Sequence, residues 1–142
     1  MNVCDIMTKD VETVGAEDSL FDAAQKMKGA DAGALPVTGQ DGSVVGVLTD
    51  RDIVLRATAK GADPKTMRVG EAMTRGVVTC RPDCPVDAAA NTMRDRQIRR
   101  LVVTEEHDKN VVGVVSLGDI AVRTEEAELV SAATEGVCRP CR

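Results

Sequence analysis

The stretch Val44-Val45-Gly46-Val47-Leu48-Thr49-Asp50-Arg51-Asp52 decides the fold, because the chain uses it twice. Val111-Val112-Gly113-Val114-Val115-Ser116-Leu117-Gly118-Asp119 follows the same pattern, at an offset of 111 − 44 = 67. Each copy is an apolar run broken by one glycine, then a hydroxyl residue, two variable residues and an aspartate. Upstream, Asp5-Ile6-Met7-Thr8 returns as Glu71-Ala72-Met73-Thr74, at an offset of 71 − 5 = 66. The extra residue falls in the polar stretch 105–110, where a hairpin loop tolerates an insertion. Internal repetition of this kind marks one structural unit used twice.

The hydrophobic period changes in the same order within each copy. Val11 to Val14 and Val77 to Cys80 read as short strands. Leu20, Ala23, Ala24 and Met27 stand at i, i+3, i+4 and i+7, the stripe of an amphipathic helix, and Val86, Ala89, Ala90 and Met93 repeat it. Pro85 suits the first turn of the second helix, where a missing N–H costs little. Leu35 to Thr38 and Val44 to Leu48 form a β-branched pair joined by the turn residues 39–42. Leu101 to Thr104 and Val111 to Val115 form the second pair. Short helices from Asp50 to about Thr58 and from Leu117 to about Arg123 close the copies. The fold class is therefore α/β (α+β by some conventions): two βαββα repeats related by a pseudo-twofold. Repeat one covers 1–58, a linker 59–68, repeat two 69–124, and an acidic helix with a mobile tail 125–142.

Composition limits what such a fold does. Of 142 residues, Phe21 is the sole aromatic, and the net charge is −5. Nucleic-acid affinity rests on Lys/Arg neutralising phosphates and on aromatic stacking, so no nucleic-acid partner is expected. No apolar run approaches the roughly 20 residues of a membrane span, and the first ten residues lack the pattern of a signal peptide. A cytoplasmic protein with reduced thiols is expected, which suits an odd cysteine count of five.

Two readings fit the hydroxyl–x–x–Asp pattern. In one, Thr49 and Ser116 cap the closing helices, and Asp52 and Asp119 reach back to the cap amide as a shortened capping box. In the other, the same carboxylates accept hydrogen bonds from a sugar diol, free helix N–H groups meet an anion, and the strand glycine lets a ligand approach the backbone.

In order, and twice over, these motifs resemble a tandem pair of CBS domains (named after cystathionine β-synthase), the arrangement called a Bateman module. The resemblance runs from about Val3 to Arg123. It rests on the Asp5-Ile6-Met7-Thr8 opening, the Gly33-Ala34-Leu35-Pro36-Val37 strand and the run from Val45 to Ile53. In length and layout the chain is similar to small bacterial two-CBS proteins of the hypoxic-response type.

The resemblance implies an adenosine-containing ligand (AMP, ADP, ATP or NAD(H)) in the cleft between the repeats, and no catalytic cofactor. Asp52 and Asp119 would hold the ribose hydroxyls. Thr49 and Ser116 would lie against ribose and phosphate, with Arg51 beside them. The adenine would pack on Thr13, Val14, Leu35, Pro36 and Val37 in copy one, and on Thr79, Cys80, Leu101, Val102 and Val103 in copy two. The copies differ: Val102 replaces Pro36, and Leu117-Gly118 replaces Asp50-Arg51. Arg99 and Arg100 replace Gly33 and Ala34. They suit phosphate oxygens, or form a solvated basic pair before a strand. A homodimer is also implied.

Other chemistry is thinly represented. Cys138 and Cys141 have redox or metal-ligand spacing on the tail, yet a structural zinc site wants four ligands and His107 is the single histidine. There is no P-loop and no nucleophile–His–acid set, so no enzyme activity is expected. The expected function is regulatory nucleotide sensing by population shift. The alternative is a structural or interaction protein without a ligand, acting through a dimer surface or its tail.

Overall fold

The computed structural model describes residues 1–123. The expected acidic helix at 125–133 and the Cys138/Cys141 pair lie outside the described residues. The chain divides into two compact units, and neither is a contiguous repeat. Unit one is Val11–Val77 with Asp108–Val111. Unit two combines, among the described residues, Met1–Asp10, Val78–His107 and 112–123.

Unit one contains β2 (Val14–Gly15), α1 (Leu20–Ala30), β3 (Ala34–Thr38), β4 (Val44–Thr49), α2 (Asp50–Arg56), α3 (Val69–Ala72) and β5 (Thr74–Arg75). Its sheet order is β2-β3-β4-β5. β2 runs parallel to β3 with Val14 opposite Val37. β4 is antiparallel to β3 and to β5, with Leu35 opposite Leu48 and Val47 opposite Thr74. Unit two contains β1 (Thr8–Lys9), β6 (Thr79–Cys80), α4 (Val86–Arg96), β7 (Arg100–Glu106), β8 (Lys109–Ser116) and α5 (Leu117–Arg123), with sheet order β1-β8-β7-β6. The tip of the second hairpin, Asp108–Val111, belongs to unit one, where the Val44 N–H donates to the Asp108 carbonyl at 2.8 Å. Asp108 and Asn110 adopt left-handed φ of 60° and 59° in this turn, as Asp and Asn do most readily among side-chain-bearing residues.

The helices sit where the apolar stripes place them. Ser19 caps α1 by accepting from the Asp22 N–H at 3.1 Å, and Asp31 ends it in the left-handed region at φ 51°. Leu20, Ala23 and Met27 are buried, but Ala24 is exposed, so the expected four-residue stripe is three wide in α1. In α4 all four, Val86, Ala89, Ala90 and Met93, are buried. Pro85 is the N-cap of α4, one residue before the expected position. Neither core needs an aromatic ring. Leu20, Met27, Leu35, Val37, Leu48 and Met73 pack in unit one, and Ile6, Met93, Leu101, Val103, Val115 and Ile120 in unit two.

The strands that open the repeats are exchanged. β1, from the Met7-Thr8 opening of repeat one, pairs with β8 of repeat two, Thr8 opposite Val114. β5, from the Met73-Thr74 opening of repeat two, pairs with β4 of repeat one. The preceding residues follow their strands into the cores: Val3 and Ile6 into that of unit two, Val69 and Ala72 into that of unit one.

This exchange explains the strand glycines by packing, where one of the two sequence readings has a ligand approach the backbone there. A Cβ on Gly46 would lie 2.7 Å from the Thr74 carbonyl oxygen and 2.8 Å from Met73 Sδ. On Gly113 it would lie 2.6 Å from the Thr8 carbonyl oxygen and 2.8 Å from Met7 Sδ. The space the missing side chain leaves is filled by the incoming strand and its methionine.

Cys80 packs partly buried against the core of unit two. Burial, and then the neighbouring Cys84 thiol, push its pKa from 9.0 up to about 12. The thiol stays protonated where an exposed one would ionise.

Two outcomes follow. Gly46→Ala and Gly113→Ala should each destabilise by about 1–3 kcal/mol, the usual cost of forcing a methyl into a filled space. Gly29→Ala, with nothing within 4 Å of the added Cβ on an exposed helical position, should stabilise by about 0.5–1 kcal/mol. Urea denaturation of the three variants measures both; equal effects would remove the assigned role of the strand glycines. For Cys80 the sign follows from its raised pKa. Below pH 9 both states hold the proton, so the folded state's advantage is intact. As pH rises from 9 toward 12 the unfolded chain ionises first and that advantage is lost. Wild type should therefore lose more stability between pH 8 and about 10.5 than Cys80→Val does, measured by denaturation midpoints.

Candidate functional site

The two hydroxyl–Asp motifs fold into the same local device. The Asp52 N–H donates to Thr49 Oγ1 at 3.1 Å, and the Thr49 N–H donates to Asp52 Oδ2 at 3.0 Å. In unit two the Asp119 N–H donates to Ser116 Oγ at 3.1 Å, and the Ser116 N–H to Asp119 Oδ2 at 2.9 Å. These are reciprocal capping boxes built with Asp in place of Glu. The shorter acid reaches because the strand runs straight into the helix, with the cap residue still extended (Thr49 φ −110°, ψ 160°).

Capping consumes Oδ2 in both motifs. Asp52 Oδ1 lies 3.9 Å from Arg56 Nη1, one helical turn on. Thr74 Oγ1 stands 3.5 Å from both Asp52 oxygens, at the outer limit of a hydrogen bond. The Arg56 guanidinium also donates to the Ala72 and Met73 carbonyls at 2.9 and 3.0 Å. Asp52 is thus tied through Arg56 to the segment that feeds the exchanged strand β5. Asp52 and Asp119 are both partly buried. A partly buried carboxylate, held at one oxygen and offering lone pairs at the other, is chemically suited to accept from a vicinal diol.

The segment before each first hairpin strand meets the motif directly. The Asp50 N–H donates to the Gly33 carbonyl at 3.0 Å, and the Leu117 N–H to the Arg99 carbonyl at 2.9 Å. Arg99 and the start of β7 at Arg100 are therefore brought beside the Ser116–Asp119 motif, both arginines exposed. Arg51 is exposed on the first turn of α2.

The apolar candidates separate by face. Leu35, Val37 and Val14 belong to the core of unit one, and Leu101 and Val103 to that of unit two. Their side chains are committed to packing, so these residues could meet a ligand only through the main chain. Pro36, opposite Val47, and Val102, opposite Thr79, lie at the alternate strand positions and are also buried. Thr13 and Thr79 are partly buried. The Thr13 carbonyl accepts from Lys26 Nζ at 2.7 Å. Cys80 contributes a protonated thiol rather than a nucleophile.

Three residues at the site escaped the sequence reading. Arg56 carries a readable signal, the i,i+4 spacing from Asp52. Thr74 and Lys26 carry none, because their neighbours are 22 and 13 residues away. Among the described residues no group of three His, Cys, Asp or Glu side chains could hold a metal ion, and no helix is long and apolar enough to cross a membrane.

Known proteins resemble this chain in sequence and fold. The family model described as "CBS domain" matches residues 3–58 and again 69–124. Hypoxic response protein 1 of Mycobacterium tuberculosis is 38% identical over 136 residues, covering 96% of this chain and 93% of that protein. A crystal structure of Hypoxic Response Protein I with two coordinated zinc ions superposes with a TM-score of 0.75 at 38% identity, covering 87% of this chain and 99% of that one. A CBS domain pair solved in complex with 5′-methylthioadenosine and S-adenosyl-L-methionine gives a TM-score of 0.72 at 31% identity, over 86% of this chain and 94% of that one. The chain therefore belongs to the CBS-domain family and carries two CBS domains.

Proposed function

We propose that this CBS pair is a regulatory module that binds an adenosine-containing ligand, with AMP, ADP, ATP and NAD(H) the leading nucleotides. The observation that carries the reading is the repeated carboxylate. Asp52 and Asp119 are each fixed by a capping box through one oxygen, with the second oxygen beyond the cap's reach. The caps draw on Oδ2 of each acid, so the other oxygen is not needed to hold the helix. The related CBS pair with bound 5′-methylthioadenosine and S-adenosyl-L-methionine supports an adenosine moiety as the shared recognition element.

In this reading Asp52 and Asp119 accept from the ribose hydroxyls. Thr49 and Ser116 hold the carboxylates in place. The main chain of Thr13 and Thr79 and the faces of Pro36 and Val102 meet the base. Arg99 and Arg100 supply phosphate contacts in unit two that Gly33 and Ala34 cannot supply in unit one, so the two motifs differ in preference for charged ligands. Arg51 plays a lesser version of that role. The ligand acts by favouring one conformation of the module, or of a homodimer, and its effect is limited to its differential affinity for the two states. The chain works as a cytoplasmic sensor without chemistry of its own.

A dye-based thermal-shift panel of AMP, ADP, ATP, NAD(H) and S-adenosylmethionine tests this, on wild type and on Asp52→Asn/Asp119→Asn. Asparagine keeps an acceptor for the cap and removes the charge. A ligand at about 100 times its Kd should stabilise wild type by about 2.7 kcal/mol, and the double variant should lose most of that while melting near wild type when unliganded. No shift with any adenosine compound would leave both aspartates as caps and favour a ligand-free interaction protein. Arg99→Glu/Arg100→Glu should weaken ATP more than an uncharged adenosine ligand; equal weakening would remove the phosphate role.

A further inference from the structure

We propose that unit one carries a second ligand site, separate from the Asp52 motif, that takes a small zwitterion of the α-amino-acid class. An open depression of ≈ 430 Å³ lies on this unit, large enough by volume for a small molecule. Thr13, Thr49 and Asp52 do not line it. Val45 and the buried Met73 give it apolar lining, and Glu17, Arg68, Glu71 and Arg75 give it four charges.

The charges select the ligand. Two guanidiniums and two carboxylates border one space, a formal sum of zero. Among the described residues none of the four forms an ion pair with another. Glu71 is nonetheless fixed, because its Oε2 accepts the Arg68 N–H at 2.8 Å. A plain carboxylate or phosphate entering this space would meet Glu17 and Glu71, and a plain amine would meet Arg68 and Arg75. A molecule carrying both charges a few bonds apart satisfies both sets. The guanidinium fork matches a carboxylate, and an ammonium offers three donors to the glutamates. The apolar lining of Val45 and Met73 then receives the side chain. In unit one, residues 68–75 bring both arginines and Glu71 to the same rim as Glu17. The corresponding stretch of repeat one, Asn2 to Lys9, has no arginine.

The test is an amide-resolved NMR titration of the whole chain with the common free amino acids, with their N-acetyl and methyl-ester derivatives, and with acetate. A free amino acid with an apolar side chain should shift the amides of Val45 and Glu71 with a Kd below about 1 mM. Both capped derivatives and acetate should bind at least tenfold more weakly. Arg75→Gln and Glu17→Gln, at exposed positions, should each weaken binding at least tenfold with unchanged melting, whereas Asp119→Asn, in unit two, should leave it intact. That last arm separates this site from the nucleotide reading. Failure of every free amino acid to bind below that limit would overturn the proposal. Equal binding of acetate, or binding indifferent to Arg75→Gln, would do so as well.

Discussion

Everything in this molecule depends on two places where a side chain is missing. At Gly46 and Gly113 a strand carbonyl and a methionine sulfur stand within 2.8 Å of where a Cβ would be. Any other residue would push the neighbouring strand away. Because the space is open, Met7 and Met73 can each seat against the middle of a sheet that their own repeat does not supply. Each compact unit then completes its four-stranded sheet and closes its core with residues from both copies of the sequence. Neither repeat completes a unit by itself, and the link between copies is built into the hydrogen-bonded sheet.

The chemistry follows from the same framework. β4 and β8 each run from the central glycine directly into a capped helix, so the positions of Thr49–Asp52 and Ser116–Asp119 are set by the end of an inner strand rather than by a loop. Arg56 reinforces this in unit one. It joins the Asp52 carboxylate to the main chain of Ala72 and Met73, immediately before the exchanged strand. A ligand that drew on Asp52 would therefore act on a group mechanically coupled to the sheet partner. That is the kind of differential contact a regulatory module needs.

Much of this was legible from the residues. The repeat, the helix stripes, the two hairpins and the hydroxyl–Asp motif all reflect local periodicity or short spacing, and the structure places them within a residue or two of expectation. Ala24 is the exception, small enough to stay at the margin of its helix without cost. The strand exchange was not legible, for a physical reason. β1 and β5 are two residues each, too short to show a period of two, and their partners lie more than 25 residues away along the chain. The central glycines admitted a reading as ligand-approach points, because a sequence shows that a side chain is absent and not what fills its place. The candidate base-contacting residues were also flattened onto one list. The core of unit one contains Leu35 and Val37, and Pro36 lies on the alternate face of the same strand.

The most direct test of the strand exchange is a nuclear Overhauser experiment on the uniformly labelled chain. Cross-strand contacts are predicted between Thr8 and Val114 and between Val47 and Thr74, each joining one repeat to the other. If Thr8 instead showed contacts to Val47 and Thr74 to Val114, each repeat would complete its own sheet, and Gly46 and Gly113 would not be the openings that admit a strand from the other copy.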